Sequence, residues 1–105
     1  MKNAIIKSVG SRSRVSVPKS MTESFDVTQS IYVVRNGANS IALTQFANAT
    51  KKARAKQIDE ALGVVNPYSN GEIQFCVNQY FKDQKPESVV CFKDKQDNIV
   101  IHCLD

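Results

Sequence analysis

IIKSVGSRSRVSVPKSM, residues 5–21, is the stretch that decides how this chain is read. Residues 4–9, AIIKSV, read as a short strand, and Gly10 breaks it. In the following SRVSVP, Val15 and Val17 point one way while Arg14 and Ser16 point the other, the period of a half-buried strand. Pro18 has no N–H to give to a ladder, so the strand ends there or lies at an edge. The same stretch is strongly basic. Residues 1–20 hold Lys2, Lys7, Arg12, Arg14 and Lys19 and no acid. Like charges crowded on adjacent strands repel and add little to stability, so an anion is expected to answer them.

Working outward, KSMTESF places Ser20 three residues before Glu23, a capping-box spacing that predicts a short helix over about residues 20–25. The runs Ile31–Val34 and Ser40–Leu43 flank RNGAN, and Asn36-Gly37 between apolar runs predicts a hairpin. Residues 47–62 are good helix formers with Gly63 placed to end them, which predicts a largely solvated connecting helix. VVNPYSNGE is a turn-rich joint. Beyond it, Ser69 and Glu72 form a second capping-box spacing. Ile73, Val77, Tyr80 and Phe81 then fall on one face of a second expected helix. SVVCF and NIVIHCL flank the polar KDKQD and predict a terminal hairpin. A hairpin closes each half of the chain, but no repeat at a fixed period is visible.

The 105 residues suit one domain, or a very small one with an appendage, and 42% hydrophobic residues allow a modest core. The net charge is +4, unevenly spread: the first half is basic and the last forty or so residues mildly acidic. That division suggests one end for an anion and the other for a protein. No run approaches the roughly 18 apolar residues of a membrane span, and the N-terminus does not read as a signal peptide, so the cytoplasm is expected. Cys76, Cys91 and Cys103 are odd in number and show no CxxC spacing, so free thiols are expected. Pairing Phe92 with Asn98 would set Cys91 across from Ile99 and away from a bridge to Cys103. His102 and Cys103 are neighbours in a strand and face opposite ways. A thiol–histidine enzyme and a zinc site are therefore both disfavoured, and no cofactor is expected.

KSVGSRSRVSVPKSMTESFDVTQSIYVVRNGANSIALT resembles the N-terminal domain of the AbrB/MazE family over about residues 4–45. The likeness lies in the glycine eight residues before a proline that follows alternating apolar residues (Gly10, Pro18), the short helix, FDV, the Asn36-Gly37 turn and the closing strand. It departs at Thr28-Gln29, where the family often has Gly-Asp, and at Ser11, where it has asparagine. The resemblance implies a mainly β protein with some α. Residues 1–46 would form a swapped-hairpin β-barrel dimer, 47–65 a helical connector, and 66–105 a small α+β partner-binding region ending in the hairpin. It implies a homodimer that binds double-stranded DNA at a palindromic operator. Lys7, Ser8, Ser11, Arg12, Ser13, Arg14 and Lys19 would make the contacts. Family members divide into antitoxins, which repress their own operon and neutralise a MazF/PemK-like ribonuclease toxin, and regulators with a C-terminal oligomerisation domain. The antitoxin is the leading expectation. Tyr68, Phe75, Tyr80 and Phe81 are the candidate anchors for a toxin, or they pack the second helix onto the hairpin. The β-branched NIVIHCL would be out of place in a disordered tail.

Overall fold

The structure, a computed structural model, describes residues 4–10, 14–17, 19–26, 28–45, 61–81, 86–95 and 97–104. In chain order the elements are β1 (Ile5–Ser8), β2 (Arg14–Val17), α1 (Lys19–Thr22), β3 (Ile31–Gly37), β4 (Ser40–Thr44), β5 (Gly63–Val65), β6 (Ile73–Cys76), a 3-10 turn (Val77–Gln79), β7 (Ser88–Lys93) and β8 (Ile99–Leu104). Six strands form one antiparallel sheet in the order β1-β7-β8-β4-β3-β5, and β2 and β6 form a separate antiparallel ribbon. Alternation builds both layers. Ile31, Val33, Ile41, Leu43, Val89, Cys91, Ile99 and Ile101 are fully buried in the sheet, while Val15, Val17, Ile73 and Phe75 are buried in the ribbon. All belong to one hydrophobic cluster, so the ribbon packs over the sheet and the core lies between them. Each such aliphatic side chain, once buried, contributes roughly 1.5–3 kcal/mol.

This overturns the expected fold. Among the described residues the N-terminal segment does not form a barrel of its own followed by helices. β1 pairs with β7 and β4 with β8, so strands from both ends of one chain interleave in one sheet. Among the described residues no helix reaches seven residues. The second expected helix is instead β6 followed by a 3-10 turn. Ile73, Val77, Tyr80 and Phe81 do fit a helical face, but Ile73 and Phe75 also alternate with Gln74 and Cys76, and β2 supplies the partner strand. The first helix forms as the single turn α1, whose Thr22 hydroxyl donates to the Lys19 carbonyl at 3.0 Å. Residues 47–60 of the expected connecting helix lie outside the described residues. Gly63 begins a strand instead of ending a helix. The first expected hairpin forms as β3–β4, but Asn36 and Gly37 lie within β3, where the register shifts, and the turn itself is Ala38-Asn39; the terminal hairpin forms as β7–β8. In the terminal hairpin Phe92 pairs with Val100 and Cys91 with Ile101, two residues from the expected register, and none of the three cysteines is in a disulfide.

The strand order hides a two-fold. Ile5 pairs with Cys91 just as Gly63 pairs with Val33. Residue n of a first unit corresponds throughout to residue n + 58 of a second (5 to 63, 33 to 91, 42 to 100). The correspondence takes β1 to β5, β2 to β6, β3 to β7, β4 to β8 and α1 to the 3-10 turn, and it reverses the strand order of the sheet onto itself. Counterparts face each other at two places, Ser16 with Gln74 in the ribbon and Ala42 with Val100 in the sheet, so the axis passes through both layers there. Loop details repeat as well. The Gly10 N–H donates to the Arg14 carbonyl and the Tyr68 N–H to the Glu72 carbonyl, both at 2.9 Å. Across the two hairpin turns, Asn36 bonds to Ser40 and Asn98 to Asp94 by their side chains. Of residues 4–46, only Ser11, Ser30 and Ile41 are identical with their counterparts.

Candidate nucleic-acid interface

The ribbon sets out one solvent-facing row. With Val15, Val17, Ile73 and Phe75 turned into the core, the pleat sends Arg14 and Ser16 of β2 and Gln74 and Cys76 of β6 outward. Register places Arg14 across from Cys76 and Ser16 across from Gln74. Arg14 is exposed, and the others are half-buried. Glu72, one residue before β6, stands beyond the rung formed by Val17 and Ile73, as does Lys19 at the start of α1. The Gln74 amide donates to the Glu72 carboxylate at 3.0 Å. The outer face therefore carries a cation at one end, two small polar groups at its centre, and a carboxylate beside a lysine at the other end.

Of the residues expected to contact DNA, Arg14 and Lys19 are exposed near this face. Lys7 and Ser8 lie in β1, which is an edge strand of the large sheet, and they stand on opposite faces of it. Lys7 lies on the core side of β1, close enough for its charge to act on the Cys91 thiol. Ser11, Arg12 and Ser13 lie outside the described residues. Of the expected partner anchors, Phe75, Tyr80 and Phe81 are buried in the core, with the Phe75 and Tyr80 rings 6.2 Å apart, while Tyr68 is 49% exposed. Sequence reading missed Gln74, Cys76 and Glu72 as surface companions of Arg14. The signal was present in the period-two alternation of EIQFC. Arg35 is exposed in β3, where it would pass for a plain surface charge. The Arg35 guanidinium instead donates to the Tyr80 carbonyl at 3.0 Å, holding the 3-10 turn of the second unit.

Burial pushes the Cys91 thiol up to about 11, with Lys7 opposing the shift, so at neutral pH it is a protonated core side chain. His102 is exposed on the other face of β8 from Cys103, which is buried. Among the described residues no three His, Cys, Asp or Glu side chains are grouped to hold a metal, and no helix is long and apolar enough to cross a membrane. No protein-family model and no curated protein matches the chain.

Proposed function

We propose that this protein binds double-stranded DNA and acts as a transcriptional repressor in the cytoplasm, with the outer face of the β2·β6 ribbon as its reading surface. The observation that carries the proposal is the ribbon's outward row of Arg14, Ser16 and Gln74, set at the internal two-fold. The major groove admits a two-stranded ribbon. Arginine suits the O6 and N7 of guanine, glutamine suits the N6 and N7 of adenine, and serine suits either base. Lys19 is placed to meet a phosphate, and the basic character of residues 1–20 and the AbrB/MazE resemblance of residues 4–45 point the same way.

A stand-alone repressor is favoured over an antitoxin. Phe75, Tyr80 and Phe81 are occupied in this chain's own core, which leaves Tyr68 as the aromatic of that set open to a toxin.

The test selects bound sequences from a pool of short random-sequence duplexes and titrates the full chain on the selected sequence. Arg14→Ala is expected to weaken binding by about 1–3 kcal/mol, the worth of a good base contact, while circular dichroism stays unchanged. Lys19→Ala is expected to cost less, as the loss of a phosphate contact that reads no base. Wild-type affinity should fall with salt as phosphate contacts release counterions. A flat salt response, or an Arg14→Ala chain that binds as wild type does, sinks the proposal.

A further inference from the structure

We infer that one chain reads DNA with one end of its ribbon only, a single half-site, although its backbone has the two-fold symmetry of a palindrome reader. This rests on the DNA-binding reading above and deepens it. Two-fold readers present the same side chains at both ends, so that protein symmetry mirrors operator symmetry. Here the backbone is repeated and the chemistry is not. The counterpart of Arg14 is Glu72, at a position closed by the same 2.9 Å loop hydrogen bond. The counterpart of Lys19 is Val77, which is buried, and the counterpart of Lys7 is Val65, also buried. In the sequence, the counterpart of Arg12 is Asn70. Each of these four cations, the ones expected to contact DNA, has a neutral or acidic counterpart in the second unit.

Arg14 and Glu72 lie on the same outer face, each two residues from the axis at Ser16 and Gln74. Four residues of strand separate their levels, about 13 Å at the usual rise. A phosphate backbone laid along the ribbon is attracted at the Arg14 end. At the Glu72 end the carboxylate repels it. The Glu72 carboxylate also accepts from Gln74, which draws that amide toward the acidic end. The ribbon therefore has a polarity that fixes its orientation on the duplex. An inverted repeat takes two chains, one for each half-site.

The experiment uses the full chain and short random-sequence duplexes titrated across a range of salt. Glu72→Arg is expected to raise affinity and to steepen the slope of log K against log salt by about 0.9, the mark of one new phosphate contact. Arg14→Ala, which removes a base contact, is expected to weaken binding with a smaller change of slope. Sedimentation of wild type on its selected sequence is expected to show one chain on each half-site. If Glu72→Arg leaves affinity and slope at wild-type values while Arg14→Ala weakens binding, the inference is overturned and DNA binding stands. A single chain spanning both halves of a palindrome overturns it too. If neither substitution changes binding, or wild type does not bind, the DNA-binding reading fails and takes the inference with it.

Discussion

At Gly63 the two units show how a fold is kept while its residues change. Gly63 corresponds to Ile5, and Tyr80 corresponds to Thr22. The first unit puts a large residue on the strand and a small one at the end of the helical turn, and the second unit does the reverse. The trade is visible as close contact: a Cβ on Gly63 would stand 2.8 Å from the Tyr80 hydroxyl and 3.2 Å from its Cε1. Tyr80 is buried against Phe75, so its rigid ring has little room to yield. Gly63→Ala is therefore expected to destabilise by about 1–3 kcal/mol through overpacking. In a Tyr80→Phe background, which removes the nearest atom, the same substitution should cost less, and urea denaturation of the four proteins measures the coupling. Equal costs in the two backgrounds would mean that the ring is not the obstacle. Cys91 makes a second prediction. Its thiol rises from 9.0 to about 11 on folding, chiefly through burial. Between those values the unfolded chain has lost a proton that the folded chain keeps, so stability falls as pH rises through that window and is unaffected below it. Burial also raises the Tyr80 phenol, which extends the loss to higher pH. Cys91→Val should flatten the earlier part of the decline in urea midpoint. An unchanged decline would show that the thiol does not report the core.

At the scale of elements, the hairpins and the β1–β2 strands were legible because each carries its own signal, alternation or a breaking glycine, although the first hairpin turns at Ala38-Asn39 and not at the Asn36-Gly37 pair that announced it. What was not legible was pairing. EIQFCVNQYF satisfies a helical face through Ile73, Val77 and Tyr80, and it satisfies a strand through Ile73 and Phe75. The choice is made by β2, which lies far back in the sequence and needs a partner along its whole length. The candidate site was half legible for the same reason. Arg14 was read from its own strand, but Gln74 and Glu72 join it only through that pairing. The role of Arg35 was hidden likewise, since its acceptor is a carbonyl 45 residues away in sequence. Its counterpart Lys93 reaches Ser24 at 3.1 Å, so each unit's third strand sends a cation to the helical turn, or the residues just after it, in the other unit. Arg35→Ala is expected to cost about 1.5–3 kcal/mol, the range for hydrogen bonds to charged groups, toward its lower end because Arg35 is exposed. The bond from Lys93 is exposed as well and joins two side chains, so Lys93→Ala should cost less. Amide exchange at Phe81, whose N–H is bonded to the Val77 carbonyl, should quicken in Arg35→Ala and hold in Lys93→Ala. The opposite pattern would mean that the arginine does not hold the turn.

The whole molecule is bound together by the way its two units interleave. Its two-fold was invisible in the sequence because the core conserves volume and polarity without conserving identity: Val15 answers Ile73, Val33 answers Cys91, and Leu43 answers Ile101. Three identical counterparts in a chain of this composition give no repeat that a reader could defend. The interleaving has a thermodynamic consequence. β7 is held between β1 and β8, and β8 between β7 and β4, so the second unit's hairpin closes the first unit's sheet. Neither unit has a sheet of its own, and the ribbon takes one strand from each. Unfolding is therefore expected as one transition for the full chain, with circular dichroism and tyrosine fluorescence coinciding, as befits a single small core. Hydrogen exchange should be slowest at the centre of the sheet, where β4 is buried along all five of its residues and pairs with β8. A chain ended before Ser88 would leave β1 without a ladder and β4 with one open edge, uncovering the cluster that contains Ile41 and Leu43. That truncation is expected to lose its cooperative transition altogether. Two separate transitions in the full chain, or a truncated chain that keeps a cooperative melt and exchange protection in β3 and β4, would mean that the first unit stands alone and that the interleaved sheet is not what holds it.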